Sequence, residues 1–228
     1  MCGRFTQAYT WEQLVTLYRL TMPPVNTQLS YNVCPTDQIG IIMPDGDGGR
    51  AFARARWGLV PYWWSKPLKQ LPATFNARSD GVATKPMYRD AFKKRRCVVP
   101  MSGFYEWRQM EDGKQPFFIS AAHSGVLSCA GLWETWKDPE QDETIRSATL
   151  IVTEANPFMS EIHDRMPVFL PPEKLEGWLD GSGDGEMLAP SPPSALRAWP
   201  VSRRVNSSKA EKEDRSLIEP IEMVRTGG

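Results

Sequence analysis

Short apolar runs separated by prolines and glycines dominate this chain of 228 residues. Helical spacing of apolar positions occurs in two stretches, 10–20 and 87–94, and Thr10 is a candidate N-cap for the first. Short continuous or alternating apolar runs predict strands, because proline, glycine or polar residues bound each of them. These runs lie at 31–35, 39–43, 51–57, 97–100, 103–107, 117–119, 126–132, 148–153 and 199–205.

Many short strands with few helices favour a single α+β domain whose strands are mostly antiparallel. We expect this domain to extend over residues 1–222. The stretch at about 181–195 is rich in glycine, serine and proline and predicts a mobile loop, and residues 223–228 predict a frayed tail. Glycine alternating with aspartate at 45–49 predicts a hairpin loop between two strands.

Composition narrows the classes of function. The 27 basic and 27 acidic residues give a formal net charge of zero, so nucleic acid must be bound by a local patch. The four cysteines lie far apart and only two histidines are present, so we expect no metal and no cofactor. Without a signal peptide or an apolar run of ~20 residues, we expect a cytoplasmic protein with reduced thiols and no membrane partner.

Cys2 directly follows the initiator methionine and is small enough to permit removal of Met1. A terminal cysteine then carries an α-amine with an ordinary pKa of about 7.7–8.0 and a thiol with a pKa of about 8.5. An aldehyde that meets this pair forms an imine with the nitrogen, and the sulfur can then close a five-membered thiazolidine ring. Taken alone, Cys2 is better explained as an accident of the chain end, so its interpretation depends on the other residues.

Four further positions are candidates for chemistry. Burial of Glu106 within an apolar strand would raise its pKa towards the range used for proton transfer, although the alternation also permits a solvated side chain. His163 lies beside an acid and a cation on a proline-bounded loop, although a lone histidine is more often structural. Asn76 and Arg78 would share a strand face and could hold a hydroxyl or carbonyl and a phosphate.

An aromatic corner at 57–64 contains three tryptophans. Trp57 is expected in the core, whereas Trp63 and Trp64 either join the core or face outward as a platform for unpaired bases. The basic run at 93–96 follows a predicted helix and is expected to complement its dipole in solvent.

Six blocks of sequence taken together resemble the SOS-response-associated peptidase (SRAP) family. They occur in the order found in that family and run from residue 2 to about residue 205, which is nearly the whole chain. The blocks are Cys2-Gly3-Arg4-Phe5, Tyr31-Asn32-Val33-x-Pro35, Trp57-Gly58-Leu59-x-Pro61-x-Trp63, Asn76-Ala77-Arg78, Gly103-Phe104-Tyr105-Glu106-Trp107 and His163-Asp164-Arg165-Met166-Pro167.

The resemblance implies a fold and a function. The SRAP domain would be a barrel-like, mainly antiparallel sheet with the N-terminus held in a groove. The protein would be a monomeric sensor of abasic sites in single-stranded DNA, associated with the nucleoid when bound. It would crosslink the ring-opened aldehyde to Cys2 as a thiazolidine and so shield the lesion. A lyase activity through the imine and an autoproteolytic release of residues ahead of Cys2 are also implied.

The implied site residues form two sets. The catalytic set has Cys2 as nucleophile, Asn76 orienting the sugar or the Cys2 terminus, Glu106 relaying protons, and His163 protonating the sugar O4′. The implied DNA contacts are Arg4, Arg78 and Arg165 to phosphates, Pro35, Trp63 and Trp64 near the bases, and Asn32 and Thr153 as polar contacts.

The sequence departs from the family at Cys34, where alanine is usual, and at Asp80, where glutamate is common. Cys34 places a second thiol near the presumed DNA-facing corner.

Two other functions stay open. One is a cysteine peptidase in which Cys2 is the thiolate, His163 the base and Glu106 the orienting group. The other is a non-catalytic module that binds single strands through the arginines and tryptophans.

Overall fold

The computed structural model describes residues 2–123, 125–139, 142–183 and 185–223. Met1, whose removal is expected, and residues 224–228 of the predicted tail lie outside these ranges. Within the described ranges, no helix is both long enough and apolar enough to cross a membrane.

Strands predominate in the described residues, and the α-helices are short. The helices are α1 Trp11–Tyr18, α2 Arg89–Lys94, α3 Pro157–Ser160 and α4 Leu175–Leu179. The strands are β1 Arg4–Gln7, β2 Ser30–Val33, β3 Gln38–Pro44, β4 Arg50–Trp57, β5 Asn76–Arg78, β6 Arg96–Met101, β7 Gly103–Met110, β8 Gly113–Ala121, β9 Leu127–Lys137, β10 Thr144–Glu154, β11 Arg165–Pro167 and β12 Leu196–Pro200. Turns of 3-10 helix lie at Leu68–Gln70, Pro172–Lys174, Gly185–Leu188, Pro193–Ala195, Arg203–Asn206 and Arg215–Ile218.

Five strands close into a barrel. β4 pairs with β3, β3 with β6, β6 with β9 and β9 with β10, all antiparallel. A parallel pairing of β10 with β4 completes the ring. The long β10 continues beyond the ring, where it pairs with β5 in parallel and with β11 antiparallel. The predicted α+β class with a mainly antiparallel, barrel-like sheet is confirmed.

A second antiparallel sheet, in the order β12-β8-β7-β1-β2, holds the start of the chain. β1 has a neighbour on each side, so the residues just before Arg4 are anchored firmly. Side chains of this sheet and of the barrel share one apolar core, which contains Cys2, Trp57 and Phe104. Trp57 is fully buried and its Nε1 donates to the Phe75 carbonyl at 2.8 Å, which confirms its predicted place in the core.

Most predicted elements are confirmed, with shifts of a few residues at their ends. α1 begins as predicted, because the Thr10 side chain accepts from the Gln13 N–H while the Gln13 side chain accepts from the Thr10 N–H. This reciprocal arrangement is a capping box. The helix predicted at 87–94 is α2, and the hairpin predicted at 45–49 joins β3 to β4.

One prediction of local structure needs correction. The strand predicted at 199–205 stops at Pro200, because Ser202 caps a 3-10 turn at Arg203–Asn206. Alternation of apolar residues does not reveal this turn. The loop predicted to be mobile contains 3-10 turns in its described part and buries Leu188 against the core. Leu188 therefore anchors the segment to the domain, while most of its other described residues are exposed, and its mobility stays a prediction.

A turn between β2 and β3 carries backbone strain. The Asp37 N–H donates to the Cys34 carbonyl at 3.0 Å, with Pro35 at the second position of the turn. Thr36, at the third position, has a φ of +78°. A type II turn has this conformation and favours glycine there. The left-handed region costs an ordinary residue about 1–2 kcal/mol, and a β-branched residue adopts it rarely.

Thr36→Gly is expected to raise the free energy of unfolding by about 0.5–1 kcal/mol, because the relieved strain exceeds the added chain entropy of glycine. Urea unfolding would show a higher midpoint with an unchanged slope. Thr36→Ala keeps a Cβ at the same φ and is the matched control, for which no gain is expected. An equal gain in both variants would contradict the assignment of strain to Thr36.

Candidate active site

Cys2 lies where the second sheet meets the end of β5. It is fully buried, and its Sγ is 3.7 Å from the Arg4 carbonyl oxygen. The Asn76 Nδ2 donates a hydrogen bond of 2.7 Å to the Cys2 carbonyl oxygen. The start of the chain is thus held by a side chain 74 residues away in sequence, as well as by the pairing of β1.

Asn76 is positioned by the parallel pairing of β5 with β10, in which it lies opposite Leu150. The amide nitrogen of Asn76 contacts Cys2, while its Oδ1 is buried without a hydrogen-bond partner among the described residues. A buried acceptor without a donor is unusual and costs free energy. This oxygen is available to a hydroxyl or amine that enters the site.

Glu106 is on β7, next to the residues that pair with β1, and is 1% exposed. Burial raises the pKa of its carboxyl from an ordinary value near 4.5 to about 7. Burial also raises the pKa of the Cys2 thiol, and the nearby Glu106 charge raises it further. Both side chains are therefore desolvated and close enough to interact electrostatically, and the solvated alternative for Glu106 is excluded.

His163 follows α3, and its backbone N–H donates to the Met159 carbonyl at 2.8 Å. Its Nδ1 accepts a hydrogen bond from the Arg165 N–H at 3.0 Å. Nε2 lies 3.8 Å from Glu106 Oε2. Burial lowers the pKa of His163, and Asp164, whose Oδ1 is 2.9 Å from Nδ1, opposes this shift. The structure thus brings together Cys2, Asn76, Glu106 and His163.

An open cleft of about 390 Å³ leads from solvent to the Glu106 and His163 side chains of this group. Glu106 and His163 line it together with Trp107, Lys114 and Asn206. The sequence does not predict Lys114 and Asn206 as site residues, because no recognisable motif surrounds either of them. Lys114 belongs to β8, and Asn206 belongs to the 3-10 turn Arg203–Asn206. Trp107 could have been predicted to line the site, because it lies next to Glu106 in one of the family blocks.

Three of the predicted DNA contacts, Arg78, Thr153 and Arg165, lie together at the C-terminal end of β10. Arg78 on β5 lies opposite Val152, and Arg165 on β11 lies opposite Glu154, so Thr153 is between them. The Arg78 guanidinium is held by Asp80 through two hydrogen bonds of 3.2 and 2.6 Å. The aspartate that departs from the family pattern therefore orients Arg78.

Arg4 and Asn32 have structural partners instead. The Arg4 guanidinium donates to the carbonyls of Val205 and Asn206 at 2.7 and 3.1 Å, and to Asn32 Oδ1 at 2.7 Å. Asn32 is fully buried, and its Nδ2 donates to the Ser207 carbonyl at 3.0 Å. Both side chains anchor the C-terminal segment to β1 and β2, and their contact with DNA stays a prediction.

The aromatic corner lies at the opposite end of β10 from Thr153. The Trp64 carbonyl accepts from Trp136 Nε1 at 2.6 Å, and Trp136 pairs with Ile145, eight residues before Thr153 and thus roughly 26 Å along the strand. Trp63 is 44% exposed and Trp64 is half-buried. Neighbouring Tyr62 is 58% exposed, an outward aromatic residue that the sequence reasoning missed.

The other thiols are buried. Cys34 adjoins half-buried Pro35, and burial raises the pKa of its thiol. Cys97 and Cys129 are fully buried in the core. Across the residues that the structure describes, no three histidine, cysteine or acidic side chains are grouped as a metal site would require.

Comparisons with known proteins agree on one family. A family model described as SOS response associated peptidase (SRAP) matches residues 1–208. The chain is 34% identical over 217 residues to abasic site processing protein YoqW of Bacillus subtilis, covering 92% of this chain and 96% of that one. It is 35% identical over 217 residues to abasic site processing protein YoaM of the same organism, covering 92% and 94%. A solved protein from Bacteroides thetaiotaomicron superposes with a TM-score of 0.83 over 96% of this chain and 100% of that chain at 23% identity, a likeness of fold.

Proposed function

Because the chain belongs to the SOS response associated peptidase (SRAP) family, we propose that it processes abasic sites in DNA by capturing their aldehyde at Cys2. One observation carries the proposal. The buried start of the chain meets an amide that contacts Cys2, a carboxyl of pKa about 7 and an imidazole within 4 Å of that carboxyl. These groups suit the proton transfers that imine and thiazolidine formation require.

The reaction begins once hydrolysis of the Met1–Cys2 bond frees the Cys2 amine. That cleavage is either autoproteolytic, as the family name suggests, or the work of an aminopeptidase. The amine adds to C1′ of the ring-opened sugar, and loss of one water gives an imine. The Cys2 Sγ then adds to C1′ and its proton passes to the nitrogen, which closes the thiazolidine. The products are the crosslink and one water.

Glu106 supplies the proton transfers of this sequence. At neutral pH, a carboxyl of pKa about 7 is protonated in about half of the molecules. The acid form donates a proton to the hydroxyl that leaves as water, and the base form accepts a proton from Sγ. An ordinary glutamate would be almost fully ionised and a poor donor at this pH.

His163 and Asn76 act on the sugar. His163 lines the cleft beside Glu106, with Nε2 3.8 Å from Glu106 Oε2, and donates a proton to O4′ as the ring opens. The buried Oδ1 of Asn76 accepts from a sugar hydroxyl or from the Cys2 amine. While the imine persists, loss of a C2′ proton breaks the C3′–O bond, which is a lyase activity. Closure of the thiazolidine removes the imine and shields the lesion.

We further propose that the substrate is a single strand bound by a monomer. Arg78 and Arg165 would contact phosphates beside the lesion, and Trp63 would stack on bases.

Two observations oppose the other candidate functions. Burial raises the pKa of the Cys2 thiol, whereas thiol peptidases depend on a lowered one. A binding module alone would gain nothing from a buried carboxyl that destabilises the fold when ionised.

A one-residue extension tests the need for a free Cys2 amine. Protein released from a fusion with glycine ahead of Cys2 is expected to form no heat-stable crosslink with a single strand that carries one abasic site. Protein released with Cys2 at its terminus is expected to crosslink fully, and intact mass confirms each start. Equal crosslinking by both forms would contradict the proposal. Peptide cleavage that survives in the extended form would instead favour the cysteine peptidase.

A further inference from the structure

A second polar cleft, of about 550 Å³, lies on the barrel where β3, β4, β9 and β10 approach one another. We call it the arginine cleft. The residues that define it are Thr36, Arg54, Arg56, Glu143, Thr144 and Arg146.

The guanidinium groups of the arginine cleft have neutral partners. Arg54 donates to the Asn26 carbonyl at 2.7 Å, Arg56 donates to the Gly58 carbonyl at 2.7 Å, and Arg146 lies 5.8 Å from the Trp133 ring centroid. No carboxylate of the described residues lies within ion-pairing distance of any of these three. By contrast, Arg78, Arg95, Arg203 and Arg204 each form an ion pair. On a chain of zero net charge, the cleft is therefore a local excess of positive charge.

The surrounding groups suit a phosphate ligand. Glu143 is the one carboxylate among the described residues that line the cleft, against three arginines. Thr36 and Thr144 add hydroxyls that can donate to anionic oxygens. Half-burial of Arg56 lowers its pKa, which reflects a guanidinium held partly out of water. Thr36 occupies a strained position where glycine is favoured, and such strain is concentrated at functional sites.

The position of the cleft relates it to the Cys2 site. Arg56 lies opposite Ser147 on β10, and Arg78 lies opposite Val152, five residues or roughly 17 Å further along the strand. Thr36 directly follows Pro35, a predicted base contact. The cleft therefore lies near the aromatic corner, towards the end of β10 that is distant from the Cys2 site, and on a path that one strand of DNA could follow.

We propose that the arginine cleft binds backbone phosphates of the DNA strand several nucleotides away from the abasic site. This inference rests on the proposed function, since it extends the path of the same strand. At about 3.4 Å per stacked nucleotide, about five nucleotides span the separation from Arg78. A strand with the lesion near its middle and only two nucleotides on each side would not reach the cleft.

Fluorescence anisotropy tests the inference with labelled single strands that carry a tetrahydrofuran analogue, which cannot open to an aldehyde. For a strand of twenty nucleotides, Arg56→Gln/Arg146→Gln is expected to weaken binding about tenfold at low salt. The slope of log affinity against log salt should fall by about 1.4, since each lost phosphate contact contributes about 0.7 for single strands. For the strand of five nucleotides, affinity should be close to that of the wild type.

Three further variants complete the test. Lys93→Gln/Lys94→Gln removes the same charge from the exposed end of α2 and is expected to alter the salt slope little. Arg146→Gln alone guards against misfolding, because the Arg146 side chain is exposed and contacts the Trp133 ring from outside. Arg146→Lys should restore most of the salt slope. An equal loss in the lysine and arginine variants, or an unchanged slope in the arginine variants, would overturn the inference.

Crosslinking to a five-nucleotide strand that carries a true abasic site separates the two proposals. Its absence in wild-type protein starting at Cys2 contradicts the proposed function, whereas the salt slopes judge the arginine cleft by themselves.

Discussion

Cys2→Ala is expected to abolish the heat-stable crosslink to an abasic single strand, while affinity for the intact strand stays within about twofold. Alanine retains the terminal amine but removes Sγ, so the imine forms and cannot close to a thiazolidine. Because Cys2 is fully buried beside Asn76, the substitution alters few surface groups that DNA could contact. Denaturing gels after heating would report the crosslink, and anisotropy would report the affinity.

Borohydride distinguishes loss of ring closure from loss of imine formation. When borohydride is added to Cys2→Ala and abasic DNA, it should reduce the imine to a stable amine and give a heat-stable crosslinked band. Without borohydride, no crosslinked band is expected. Cys34→Ala is the matched control, because it removes another buried thiol from the same region and should leave the crosslink intact. A heat-stable, unreduced band in Cys2→Ala would contradict the role assigned to Sγ.

Glu106→Gln is expected to slow crosslinking by about 10²–10⁴-fold, the usual contribution of a general acid–base residue. Glutamine preserves the shape of the side chain but cannot exchange a proton. The wild-type rate should fall as pH rises through about 7, where Glu106 loses its proton. The variant should lack that descending limb, and rates measured from pH 5.5 to 9 would reveal the difference.

The same variant should be more stable than wild type at high pH. The pKa of Glu106 is raised in the folded state, so the folded protein binds the proton more tightly than the unfolded chain. The contribution of Glu106 to the free energy of unfolding is therefore fully favourable below about pH 4.5 and is lost as pH rises through about 7. At about 1.4 kcal/mol per pKa unit, Glu106→Gln should gain about 3 kcal/mol at pH 8 and little at pH 4.5. Urea unfolding at both pH values measures this gain.

A gain in stability with a loss of rate is the expected signature of a residue retained for chemistry. Loss of stability at pH 8 in Glu106→Gln would indicate that the carboxylate is a structural partner, and would contradict the proton-relay role. Glu106→Asp is the companion variant, since it keeps a titrating group and should restore part of the pH dependence.

The sequence predicted the local elements better than the way in which they meet. The capping box of α1 and the hairpin at 45–49 depend on neighbouring residues, so their patterns were sufficient. The closing of the barrel depends on β4 and β10, whose pairing joins Trp57 to Ala148 across 91 residues. Periodicity holds no information on such pairings, and the barrel came from the family resemblance.

The candidate site divides in the same way. The residue types of Cys2, Glu106 and His163 suggested their chemistry, but their meeting required the β1–β7 register and the short α3. The role of Arg4 in anchoring the chain near Val205 could not be foreseen, since that contact spans 201 residues. The arginine cleft was missed because its side chains come from separate strands, and nothing in a linear pattern indicates which arginines lack acidic partners.

Intact mass of the adduct tests covalent capture at Cys2 most directly. Wild-type protein is incubated, without any reductant, with a single strand carrying one abasic site, and the heated product is weighed by mass spectrometry. The account predicts one species, whose mass equals the protein beginning at Cys2 plus the strand less one water, with the DNA on the Cys2 peptide after digestion. Absence of any adduct from protein confirmed to begin at Cys2, or DNA attached to another residue, would contradict it.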